Sequence, residues 1–344
     1  MLKLLQSIFA RNEHQGRYPE SLIEMAIERA VDGTYPRLRA LPGYAKRLRD
    51  PVIHAIDHVV ALVENVPPPI TATAAAFRNN PRLEALFASP EHLLETFSND
   101  TAFGDFRNEN PVDGDRATAL LLAEYQEKNI LGVEMVGDML CRDVAQVSVT
   151  FRNQRLIDPA IDPDEVFKLL RRRAFDYLIS MALATIVTAK GTRAELTRER
   201  ELLKSKLVVL QKGGWSFADE RREHPAAAEL QAELDEIEAQ LAQLNVDEHS
   251  MAGQLELLAD LLASAEKQLW IEPLAFSLDR MNIKRPHQHP DARPLNVNVL
   301  RDARGQALVT LLVSFDPSEI PRRATLSENV DRLFAELGIP FKRG

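Results

Sequence analysis

His54, Asp57 and His58 stand at i, i+3 and i+4, which puts two imidazoles and a carboxylate on one helical face. Such a group can begin a divalent-metal site, with His92 or Glu95 needed as a further ligand from elsewhere in the chain. The same segment carries Val52, Ile53, Ile56, Val59, Val60 and Val63, so the three polar residues equally fit the solvent side of an amphipathic helix. His287 and His289 with Asp291 form a looser trio in a proline-broken stretch, where solvated histidines are the plain reading. Ser264 and Lys267 have the spacing of a serine–lysine nucleophile but lack the companion motifs, and they fall inside an apolar repeat. Glu124, Glu127, Glu134, Asp138 and Asp143 could pair for acid–base work, or form a solvated face.

Several chemistries are excluded outright. No two of the 14 glycines are separated by a single residue, so no GxGxxG fingerprint exists. Gly132 and Gly137 have the outer spacing of a P-loop, but Asp138-Met139 follows where Lys and Ser/Thr are required. GxSxG and HExxH are absent, and no histidine has a glutamate three residues before it, as a di-iron carboxylate bundle needs. The single cysteine, Cys141, forms no disulfide within the chain and no thiolate-rich zinc site. No catalytic residue and no cofactor are assigned.

The elements that would position these residues read as mainly helical. Pro19 to Val31 and the segment opened by Asp50-Pro51 have apolar residues at helical spacing, and Asn80-Pro81 and Ser89-Pro90 begin two shorter helices. Ser98 to Arg116, rich in Asn, Asp and Gly, reads as a loop. Ala117 to about Val147 reads as a long helix. Val147, Val149 and Phe151 alternate with polar residues, which fits either a short strand or the end of that helix.

Two long apolar repeats follow. From Phe175 to Leu210 apolar residues recur at alternating steps of four and three, interrupted by Arg193 and Arg200. From Leu230 to Leu269 the repeat resumes, with Glu248 as its one polar member. Lys190 to Lys212 is mostly basic, whereas Ala226 to Glu266 holds acids and no Lys or Arg. A turn at 213–225 would lay the two arms antiparallel, within one chain or between two, and set Arg193 beside Glu248 as a register pair. Trp215 and Phe217 would then sit at the tip, as packing residues or as a binding anchor.

Beyond Trp270, Leu295 to Leu300 and Ala307 to Phe315 read as a β-hairpin, with Leu274 to Ile283 or Val147 to Phe151 as a third strand. Thr325 and Glu328 form a capping box for a last helix. The expected fold is therefore mainly α: a multi-helix base over 1–160, long helices over 161–272 forming a coiled-coil hairpin, and a small α+β segment over 273–344.

Charge and hydropathy narrow the function classes. The chain has 344 residues, 45% hydrophobic and 27% charged, with a formal net charge of −9. The acidic segment accounts for all of that excess, so the remainder of the chain is close to neutral. The longest nearly apolar stretch, Leu178 to Ala189, is too short to span a bilayer. Met1 to Phe9 could lie on a membrane surface or dock on protein. The basic clusters lack any nucleic-acid motif. The sequence thus points to a cytoplasmic interaction or scaffolding protein with protein partners, a homo-oligomer being one form. An enzyme or metal-binding protein with a site near His54, and a nucleic-acid-associated protein, are the alternatives.

Overall fold

The computed structural model describes residues 18–110, 116–136, 139–212, 225–243 and 250–322. In chain order the elements are α1 (Glu20–Thr34), a 3-10 turn (Pro36–Ala40), α2 (Tyr44–Glu64), β1 (Ile70–Thr71), α3 (Ala74–Phe77), α4 (Pro81–Leu86), α5 (Pro90–Asn99) and α6 (Thr101–Glu109). They continue with β2 (Ala117–Val136), β3 (Met139–Ala160), α7 (Pro163–Lys212), α8 (Pro225–Gln243), α9 (Met251–Ala263), α10 (Ala265–Gln268), β4 (Leu269–Leu278), β5 (Arg293–Asp302) and β6 (Ala307–Phe315). The chain divides into two compact units, Met1–Val60 with Arg172–Gln268, and Ala61–Arg171 with Leu269–Gly344.

This corrects the expected mainly-α fold. The second unit is built on a six-stranded sheet, and Ala117 to Val147, read from sequence as a helix, lies in its two longest strands. The strands at 293–302 and 307–315 are not a small appendix, because β6 sits between β2 and β5 inside the sheet. Among the described residues no long coiled-coil hairpin is evident either. Its second arm is divided: Leu230 to Leu241 lie in α8, Ser250 caps a new helix α9, and Leu269 opens β4. What α7 and α8 share is a short contact, with Leu203, Leu234 and Ile237 buried together and Lys204 Nζ 2.8 Å from Glu238 Oε1. The 213–225 tip with Trp215 and Phe217 lies outside the described residues, except for Pro225 at the start of α8, as do Glu248 and Met1 to Phe9; nothing is described of the Arg193 side chain.

The first unit is helical. α1 buries Leu22, Ile23, Ala26, Ile27, Ala30 and Val31. Gly33 lets α7 come close, since a Cβ there would stand 2.5 Å from Ile179 Cγ2. Arg29 grips Asp176 through both carboxylate oxygens, Arg49 grips Glu20, and Arg47 bonds Glu256. α9 is buried through Leu255, Leu258, Leu261 and Leu262, a core helix rather than a coiled-coil seam. α2 begins at Tyr44, so Asp50-Pro51 lies within one helix instead of opening it. Among the described residues no helix is long and apolar enough to cross a membrane.

In the second unit the strand order is β3-β2-β6-β5-β4, with β1 parallel to β6 and the other pairs antiparallel. β2 from Ala117 to Ala123 is buried on both faces. Ala119, Leu121 and Ala123 face a large core closed by helices α3 to α6, which deliver Phe77, Phe87, Phe97, Phe103 and Phe106. Leu120 and Leu122 face a second cluster with Val63, Val166, Leu170 and Leu312. The short helices owe their starts to local chemistry: Thr73, Asn80, Ser89 and Asp100 each accept a backbone N–H from the first turn. Asp100 thereby starts α6 inside the stretch expected to be a loop, and its other oxygen accepts Leu156 N of β3 at 2.8 Å.

β3 bends around β2 at three bulges. Register shifts occur between Thr118 and Leu120, Leu122 and Glu124, and Gly132 and Glu134, and each time the additional residue is in β3. Asp158, Asn153 and Asp143 take positive φ at those places. Asn and Asp tolerate the left-handed region better than other side chains, which is why they mark these bulges. β2 stays regular throughout.

Candidate interaction surface

β2 outruns its neighbour. Its pairing with β6 ends at Glu124 opposite Leu308, yet the strand continues to Val136. From there, among the described residues, only β3 accompanies it, through Val136 opposite Met139. The result is a two-stranded arm of about 40 Å, at roughly 3.3 Å per residue. Leu131 and Val133 on the arm are 71% and 53% exposed. Ala145 lies directly opposite Leu131, and Val147 opposite Asn129, so these residues line one face of the ladder. Among the described residues no strand pairs with the outer edge of β2 beyond Glu124.

The base of the arm is fastened. The segment after β4 returns to β3, where Asn282 O accepts Val149 N at 2.8 Å and Lys284 N donates to Val147 O at 2.8 Å. Asn282 supports this strap at a φ of 57°, and Asp279 Oδ1 accepts the amides of Met281 and Ile283. Lys284 Nζ then reaches Glu127 Oε1 at 2.6 Å while lying 5.0 Å from the centre of the Phe276 ring. Tyr125 donates its hydroxyl to the same Glu127 oxygen. Burial first, then the Glu127 bond, pushes the Tyr125 phenol up, so it remains a protonated donor. Burial would raise Glu127, but the Lys284 and Tyr125 bonds outweigh it and hold that carboxyl below its ordinary value. The anchored base ends where the exposed arm begins.

The described residues singled out from sequence are engaged as follows. His54 Nε2 meets Glu266 Oε2 at 2.9 Å, and Asp57 accepts the Tyr18 hydroxyl at 2.6 Å. The His54 bond, with His58 adding its field, holds Glu266 below the usual glutamate range. His92 and Glu95 belong to the other unit. Among the described residues no group of three or more His, Cys, Asp or Glu is placed to hold a metal. His287 Nδ1 pairs with the buried Ser277 hydroxyl at 2.7 Å, and His289 Nδ1 accepts the Asp291 amide at 3.2 Å. Ser264 donates to Asp260 O at the end of α9.

A groove of about 410 Å³ in the second unit is lined by Arg78, Glu84, Ser89, Asp279, Arg280 and Arg293 among others. Its acids are engaged, Glu84 by Arg293 and Asp279 by Arg285. A polar hollow beside it holds His92, Asp100 and Gln154, each bonded to backbone. Neither brings reactive groups to a common point.

Sequence reading missed Leu131, Val133, Tyr125, Glu127 and Lys284 as one assembly. The available signals were the unbroken run from Ala117 to Ala123, too apolar for one helix face, and Gly137-Asp138 as a turn dipeptide. No protein-family model, no curated protein and no solved structure matches the chain.

Proposed function

We propose that the protein is an interaction protein whose recognition element is the β2–β3 arm. One observation carries this: β2 beyond Glu124 offers an unpaired strand edge among the described residues, together with exposed Leu131 and Val133. A row of free backbone donors and acceptors beside apolar side chains is the chemistry of strand addition. A two-stranded ladder is also marginal in water by itself, so a covering partner stabilises it. The cytoplasm is the compartment we propose, on the strength of one cysteine and no disulfide.

The test is a photo-crosslinking amino acid placed at Leu131 of the full chain in its source cells. The control carries it at Leu202, also exposed but on α7. A discrete protein adduct at 131 and none at 202 is expected. No adduct at 131, adducts at both positions, or an adduct to nucleic acid would overturn the reading.

A further inference from the structure

Resting on that reading, we infer that the partner at the arm is a second copy of this chain, joined by antiparallel pairing of the two β2 edges about a two-fold axis at Leu131. The regularity of β2 is the first support. All three bulges fall in β3, so the outer edge of β2 runs uninterrupted past Glu124 and presents evenly spaced backbone groups. An isologous pairing satisfies both free edges at once, where a one-sided partner would need its own unpaired strand.

The residues along that edge complement themselves. With position 131 opposite itself, position 128, a lysine, stands opposite position 134, a glutamate, and the symmetry makes that pairing twice. Leu131 meets Leu131, with Val133 of each copy diagonal to it, so two exposed apolar residues of the arm cover one another. The Lys128–Glu134 pairs on one face and the Leu131 pair on the other therefore agree on a single register.

The experiment uses the full chain with Cys141→Ser, which leaves an introduced cysteine as the only thiol. Mild oxidation of Leu131→Cys is expected to give a covalent dimer, because directly opposed strand residues lie within disulfide reach. Val133→Cys is expected to give none, its two copies being four residues apart along the ladder, about 13 Å. Light scattering of the unmodified chain is expected to give the mass of two chains. Lys128→Glu sets like charges opposite each other twice and is expected to weaken the dimer about tenfold, with recovery in Lys128→Glu/Glu134→Lys. The mass of one chain, equal cross-linking at 131 and 133, or no effect of Lys128→Glu overturns self-pairing. A foreign protein captured at 131 by a chain of single mass leaves the interaction reading standing and removes only the second copy.

Discussion

Leu121 and Leu131 belong to the same strand, yet the first is 1% exposed and the second 71%. Around Leu121 the strand has a neighbour on each edge and a packed layer on each face. Around Leu131, among the described residues, it has β3 alone. The backbone conformation is common to both, so its cause differs along the strand. At the base, burial of apolar area on two faces stabilises extended chain. On the arm, cross-strand pairing and the fastening at Glu127 and Lys284 carry the conformation outward. A strand that is core at one end and surface at the other can present a recognition edge without risking the fold that holds it.

The largest expected effect separates those ends directly. Leu121→Ala should cost about 2–5 kcal/mol in chemical denaturation, by lost burial and a cavity. Leu131→Ala, measured on the single chain, should change stability by less than about 0.5 kcal/mol. Similar costs at both positions would mean that the arm is packed like the base. Next in size is Asp100→Ala, which removes the cap of α6 and strips Leu156 N of its acceptor. About 2 kcal/mol is expected from the two losses, with exchange protection falling at the base and unchanged on the arm.

The smallest effect is the pH response at the boundary. Glu127 is held below its ordinary value, so its pairing with Lys284 is present above the usual glutamate range, about 4.3, and is lost as pH falls through the lowered value. An NMR titration should find the Glu127 midpoint depressed. In Lys284→Met it should rise, since burial then acts with less opposition. A midpoint indifferent to Lys284 would remove the fastening from the comparison.

The sequence misled most where its local signals were strongest. Ala117 to Val136 is rich in Ala, Leu and Glu, good helix formers, and its apolar residues also satisfy a helical stripe. Over Ala117 to Ala123, burial of both faces between two core clusters overrides that preference by a wider margin than propensity supplies. The repeat from Leu230 to Leu269 failed differently. Steps of three and four suit a coiled-coil seam and a core helix alike, and α9 uses them for the core. The arm and its fastening were legible only as isolated residues, because Lys284 and Glu127 are joined by folding and not by spacing.

What the sequence determined by itself are the features that a few neighbouring residues complete. Asn80-Pro81, Ser89-Pro90 and Asp162-Pro163 start helices because a side-chain oxygen accepts an amide from the first turn and proline has none to lose. The strands at Arg293–Asp302 and Ala307–Phe315 show their alternation and β-branched content directly. Tertiary structure alone decided that Ala117 to Val136 is extended, that the long repeat is divided, and that one end of β2 is core while the other is edge. Each of those outcomes depends on partners distant in the chain, and the free energy of burying a face is set by what covers it.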